Sequence, residues 1–511
     1  MTIVARRGTA TPTGEIMSLW AIPSLNEANR RASELKIPDK MLIGSEWCDA
    51  ADGRRIDVVN PFTESTLGSI PRGGEQDVRR AVKAARKSFE AGSWSQLSGR
   101  ERGQRLSRVA DLIRLEQEYF ALIECIDNGK PVQESQWAAL IAAEVFEYYG
   151  GWADKYHGEV VPLKHRHYNM VVHEPVGVIG AIVPWNFPTI QATQNIVPAL
   201  AMGNSVVLKP AEECSLAALK LGELCLEAGI PDGVVNIVTG LGEEAGAALC
   251  QARGVDAVIF TGSTRTGRSV MQAASGTLKR LSLGCSGKSP DLIFQDADLE
   301  AAVDNAFAGM FYNQGEVCNS SSRLLVHESL YTEVVTMLTA RAGQLRLGDP
   351  LDKTTEMGCL VSQEQLDQNL QYIDIGVKEG AVLAAGGRRR EGRGYFLEPT
   401  VFIDVVPETR IFQEEIFGPV LTVTPFRDDD DAVALANNSD YGLAAGLWTR
   451  DVKRAQDVAS RLQAGTVWVN MFGYLDIASP WTGYKQSGTG TAWGRNALDF
   501  VTVPKSIWYA R

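Results

Sequence analysis

The chain has 511 residues, 45% of them hydrophobic and 22% charged, which is ordinary for a soluble globular protein and too long for one core. A formal net charge of −12 argues against a nucleic-acid partner, which would need a basic face. Eight cysteines without a CxxC pair form neither a disulfide framework nor a zinc site, and they fit a reducing, cytoplasmic setting.

No apolar run reaches membrane-spanning length, so no membrane is expected. The opening stretch MTIVARRGTATPTGEIMSLW lacks the continuous apolar segment of a secretory signal. Residues 1–39 read as an extension before the first compact unit. HGEVVPLKHRHYNMVVHEP (157–175) reads as a hairpin interrupting that unit. It holds His157, His165, His167 and His173, but no cysteine or carboxylate cluster completes a ligand set, so no metal is expected.

From about residue 171 apolar runs alternate with helical stretches. The runs are VGVIGAIVP (176–184), NSVVLKP (204–210), GVVNIVTG (233–240) and VDAVIFTG (255–262). Between two of them lies LAALKLGELCLEAG (216–229). Strands apolar on both faces, separated by helices, predict a doubly wound parallel sheet. A second series starts at PDLIF (290–294) and continues through a helix to SRLLVHES (322–329), predicting a second α/β domain. RRREGRG (388–394) reads as a solvated loop, and RDDDDAVALA (427–436) as a loop feeding a helix N-terminus, where acids suit the dipole.

Three strand ends suggest a nucleotide. TGLGEEAG (239–246), with Gly242, opens a helix but runs one residue longer than the dinucleotide fingerprint. FTGSTRTG (260–267) puts amides and the Ser263 hydroxyl at a helix N-terminus, where a phosphate can sit. VVLKPAEE (206–213) sets Lys209 and Glu212 beyond a strand's C-terminal end, where ligands bind in such sheets. A carboxylate there can take both ribose hydroxyls and would repel a 2′-phosphate. FYNQGEVCNSSSR (311–323) isolates Cys318, and a lone cysteine is more often a buried, inert thiol than a nucleophile.

Taken together, these motifs resemble those of the aldehyde dehydrogenase superfamily, from about residue 40 to 511. VPWNFP (183–188) resembles its oxyanion and cofactor segment, KPAE (209–212) its adenosine-ribose segment and FTGST (260–264) its pyrophosphate turn. NQGEVC (313–318) resembles its nucleophile loop, EEIFGPV (414–420) its nicotinamide-ribose segment and GYKQSG (483–488) its C-terminal signature. The resemblance implies Cys318 as nucleophile, with the Asn186 amide and the Cys318 N–H as oxyanion hole. It implies Lys209 and Glu212 at the adenosine ribose, hence NAD as cofactor, and Ser263 at the pyrophosphate. Glu415 and Phe417 would place the nicotinamide ribose and ring, and Trp185 would support the cofactor pocket.

The implied architecture is two doubly wound α/β domains plus a small β oligomerisation domain. An NAD-binding domain would comprise residues 40–156 and 176–286, a catalytic domain 287–485, and an oligomerisation domain 157–175 and 486–511. A homodimer or homotetramer follows from that last piece, because an isolated hairpin is marginally stable.

The sequence departs from the family at the step that releases the product. In KRLSLGCSGKSP (279–290) the family's general-base glutamate falls on Gly284, and the two groups that relay its proton fall on Asn195 and Ala492. Three readings follow: slow hydrolysis with another base or bulk water, transfer to a thiol such as coenzyme A, or a nucleotide-binding scaffold that has lost turnover. Cys285 adjoins the vacant position, where an inert thiol is the commoner reading than a redox one. Gln191 and Gln194 give the substrate tunnel polar character, and Trp481, Phe472 and Tyr474 would supply aromatic walls.

Overall fold

The structure is a computed structural model that describes residues 20–164 and 167–510. His165 and the first half of the expected N-terminal extension lie outside the described residues. The rest of that extension includes a helix, Leu25–Ser33, which belongs to the compact body. Ala28 and Ala32, one turn apart, are buried in the main core, and Arg31 reaches Glu118 at 2.8 Å.

Eight strands form the first sheet, in the order Glu46–Cys48, Met41–Ile43, Val235–Ile237, Ser205–Lys209, Val178–Ile182, Ala257–Thr261, Arg280–Gly284, Gly488–Thr489. The middle five are parallel, and the edges are closed by antiparallel strands. Val178–Ile182 and Ser205–Lys209 are buried at every position, which explains why their sequences are apolar runs rather than alternations. From Val178–Ile182 the chain builds outward in one direction, then returns to add Ala257–Thr261 on the other side. That reversal is a topological switch point, where a crevice opens beyond the carboxyl ends of the strands.

The second sheet has seven strands, in the order Val382–Ala385, Thr400–Ile403, Val420–Phe426, Arg323–His327, Pro290–Ile293, Ala444–Trp448, Thr466–Val469. All pairs but the first are parallel. A third sheet joins Glu159–Val161, Tyr168–Pro175 and Thr502–Tyr509, all antiparallel. The hairpin is thus completed by a strand from the other end of the chain. The segment 486–511 also contributes Gly488–Thr489 to the first sheet. RRREGRG lies in a largely exposed loop, and Asp428 caps the helix Asp429–Asn437 by accepting from the Asp431 N–H.

Candidate active site

The loops beyond the five parallel strands line a cleft of about 1140 Å³, closed on its far side by residues of the second α/β unit. It is large enough for a dinucleotide and a small substrate together. Trp185, Asn186, Glu212, Gly242, Ser263, Cys318, Glu415 and Phe417 all line it. Lys209 stands behind Glu212, fully buried, with its Nζ 2.5 Å from the carboxylate.

At the strand ends, the two Glu212 oxygens divide their work. Oε2 meets Lys209, and Oε1 accepts from the Gly242 N–H at 3.2 Å. A carboxylate fixed this way presents acceptors to a diol and a negative charge to any phosphate, and Glu243 lines the same cleft. Ser263 caps the eleven-residue helix Thr264–Ala274, its Oγ accepting from the Thr266 N–H at 3.1 Å. Trp185 and Phe417 meet edge to face, with ring centroids 5.3 Å apart. Phe417 takes the left-handed backbone conformation at φ 62°, rare for a bulky residue, and so orients its ring into the cleft wall. These residues fit a dinucleotide: an anchored carboxylate, a helix N-terminus and an aromatic wall in succession.

The loop before Cys318 is bent by force. Asn313, Gln314 and Gly315 are all left-handed, at φ 46°, 56° and 71°. Only glycine fits the third place, because a Cβ there would collide with the Gly418 carbonyl. Strain of this kind typically costs on the order of 1–3 kcal/mol per residue and persists where surrounding contacts over-determine the fold. Here the contacts are polar and buried. The Asn313 N–H donates to Glu134 at 3.0 Å, and its side-chain amide donates to the Asn186 carbonyl at 3.0 Å. Lys130 Nζ donates to that same carbonyl at 2.9 Å, pairs with Glu124 at 3.2 Å and sits over the Phe187 ring. The Asn186 side-chain amide donates to the Glu316 carbonyl at 2.9 Å. Asn186 is therefore locked to the loop before Cys318 from both its backbone and its side chain.

Cys318 is partly exposed to the cleft, and burial together with the nearby Glu415 pushes its thiol up to about 12. Glu415 accepts from the Gly287 N–H at 2.8 Å, and burial raises its carboxyl to about 7. Gly284, Asn195 and Ala492, distant in sequence, line the same cleft, with Asn195 turned to donate to the Gln191 carbonyl at 2.7 Å. Gln191, Gln194 and Trp481 line it too. Phe472 does not: it is buried against Trp468, and Tyr474 lies at the surface. Cys285 also lines the cleft, but burial raises its thiol to about 11 and its sulfur is packed against Gly267. All eight cysteines are unpaired, and among the described residues no group of three or more His, Cys, Asp or Glu is placed to hold a metal.

Lys130, Glu124 and Glu134 escaped the sequence reading. Glu124 and Glu134 lie in successive helices and Lys130 in the turn between them, almost two hundred residues before Cys318, and nothing in the local pattern ECIDNGKPVQE marks them as its support. Burial raises the Glu134 carboxyl to about 8, opposed by Lys130 and the Asn313 N–H. Between its ordinary value and about 8 the folded protein holds a proton that the unfolded chain has lost, so stability falls as pH rises through that window. Glu134→Gln keeps an acceptor for Asn313 and cannot ionise. Its melting temperature relative to wild type is expected to climb from about pH 5 to about pH 9, as measured by calorimetry.

Comparison with known proteins agrees with this geometry. The model of the Aldehyde dehydrogenase family matches residues 47–507. An aldehyde dehydrogenase of Aspergillus niger is 44% identical over 473 residues, 92% of this chain and 95% of that protein. Retinal dehydrogenase 2 of Homo sapiens is 43% identical over 501 residues, 98% of this chain and 96% of its own. Among solved structures, a mutant of the P. syringae indole-3-acetaldehyde dehydrogenase, in complex with NAD+ and IAA, superposes with a TM-score of 0.94. It is 40% identical, and the match covers 96% of this chain and all of the other. The chain belongs to the aldehyde dehydrogenase family.

Proposed function

We propose that this protein oxidises an aldehyde to the carboxylic acid with NAD as acceptor, the substrate carbon being carried on Cys318 as a thiohemiacetal and then a thioester. The observation that carries the reading is the union, in one cleft, of the Cys318 thiol with an Asn186 amide locked to the same loop. Attack by sulfur turns the aldehyde oxygen into an alkoxide. The Asn186 amide and the Cys318 N–H donate to it in this reading, and such donors are typically worth about 2.7–4 kcal/mol each. Bound NAD supplies the hydride acceptor. Glu212, Lys209 and Gly242 hold the adenosine ribose, Ser263 and its helix the pyrophosphate, and Glu415, Phe417 and Trp185 the nicotinamide end.

Glu212 also sets the cofactor preference. The wild type is expected to use NAD at least tenfold more efficiently than NADP, and Glu212→Gln is expected to narrow that gap by about 10-fold, the worth of ~1.4 kcal/mol of charge repulsion. Equal kcat/KM for the two cofactors in the wild type would overturn the assignment.

The buried Gln191 and Gln194 beside Trp481 favour an aldehyde that carries polar groups. The three-stranded sheet supports a homodimer or homotetramer: Val160, Tyr168, Val503, Trp508 and Tyr509 are exposed on it, an apolar edge that a second copy would cover. Unpaired thiols throughout suit a cytoplasmic protein. Among the described residues no helix is long and apolar enough to cross a membrane.

A further inference from the structure

We propose that Glu415 is the proton acceptor for release of the acyl group from Cys318, a second duty beside its place at the nicotinamide ribose. The inference rests on the reading of Cys318 as the acyl carrier.

The end of the cleft that holds Cys318 has few candidates. Glycine occupies position 284, and Asn195 and Ala492 beside it carry no titratable group. Of the carboxylates that line the cleft, Glu212 is bound to Lys209 and Gly242 at the opposite end. Glu213 and Glu243 share that end, following the same strands. Glu364, in the first turn of the helix Gln363–Lys378, is close enough to Glu213 for its charge to act there. Glu414 is clamped between Arg410 at 2.8 Å and the Tyr372 hydroxyl at 2.7 Å.

Glu415 alone is tied to the nucleophile. Its Oε1 accepts from Gly287, whose α-carbon packs so closely on the Cys318 carbonyl that no Cβ could be added there. One residue therefore separates the carboxylate's anchor from the Cys318 backbone, and the charge of Glu415 acts on the thiol. The carboxyl has two neighbouring donors, the Gly287 N–H and the Ser286 hydroxyl, and a hydroxyl can turn away to let the carboxylate take a proton. Burial holds the group near neutrality, so at neutral pH both its protonated and ionised forms are populated. The titratable groups facing it are Lys288, Cys318, Cys285, Tyr441 and the adjoining Glu414.

The step balances without an added reagent. Glu415 takes a proton from water as the new C–O bond forms on the thioester carbon. The C–S bond then breaks, the carboxylic acid departs, and the sulfur recovers that proton from Glu415. Nothing is oxidised or reduced in this step.

The test uses 4-nitrophenyl acetate, which acylates a thiol without cofactor and so separates this duty from ribose binding. Intact-mass and peptide mass spectrometry follow the acetyl group on Cys318 in wild type, Glu415→Gln, Gly284→Glu and the double variant. Glutamine keeps the acceptor for Gly287, and Glu415→Asp serves as a second variant should the first fail to fold. We expect acetyl decay in the wild type to rise with pH through about 7. In Glu415→Gln it should be about 10²-fold slower and flat in pH. In the double variant, a carboxylate at position 284 should recover about 10-fold of that rate.

Decay at the wild-type rate in Glu415→Gln overturns the proposal. So does a slow variant that Gly284→Glu leaves unrescued, since the defect is then structural. A failure to acetylate Cys318 at all strikes the underlying reading of the nucleophile instead.

Discussion

Cys318→Ala is expected to lose both turnover and the covalent adduct. Wild type mixed with NAD and a reactive aldehyde should show added mass on the peptide containing Cys318, and the variant should show none. Turnover should fall by roughly 10⁴-fold or more, the scale on which removing a nucleophile disables a covalent mechanism. The size of the effect follows from the absence of a substitute. Cys125, Cys214, Cys225, Cys250 and Cys359 are buried thiols raised by desolvation, and none lines the cleft except Cys250, which lies under the cofactor end. Cys48 is partly exposed but stands on an edge strand of the first sheet. Cys285 is the remaining thiol near Cys318, and its sulfur is packed against Gly267. An adduct that persists in Cys318→Ala would move the chemistry to Cys285.

The parallel sheets were legible because strands covered on two faces leave apolar runs without alternation, as in VIGAI of the first sheet and PDLI of the second. Cys318 was legible only in company: alone it has the signature of any small apolar residue, and NQGEV before it gave it meaning through resemblance. The left-handed bend over Asn313 and Gln314 could not be read, because neither residue type announces a positive φ as glycine does. Nor could the buried brace of Lys130, Glu124 and Glu134. Its members are spaced like ordinary surface charges, and only packing reveals that they hold Asn186 and Asn313. The helix Leu25–Ser33 was missed for a similar reason. Its charged face hides two alanines whose small size is what lets the helix dock. In each case the missing information lay in partners far away along the chain.

Gly284→Glu is expected to raise the steady rate by about 10-fold, after a wild type that reduces one cofactor per site quickly and then slows. Position 284 closes the strand Arg280–Gly284 and pairs with Thr261. Its backbone is outside the left-handed region, and an added Cβ would meet the Thr261 side chain at 3.5 Å, an ordinary contact. A longer side chain from that point enters the cleft lined by Cys318, Asn195 and Ala492. The variant is therefore expected to fold and bind cofactor as the wild type does. A positioned base contributes typically 10²–10⁴-fold, and the gain should fall short of that for two reasons. Asn195 is turned onto the Gln191 carbonyl and Ala492 ends in a methyl, so a proton taken at position 284 has no carrier onward. Glu415, on the proposal above, already supplies part of the assistance. Stopped-flow measurement of reduced cofactor separates the fast phase from the slow one in both proteins. A wild type without a burst, beside a well-folded Gly284→Glu that turns over no faster, would show that release of the acyl group never limits the reaction.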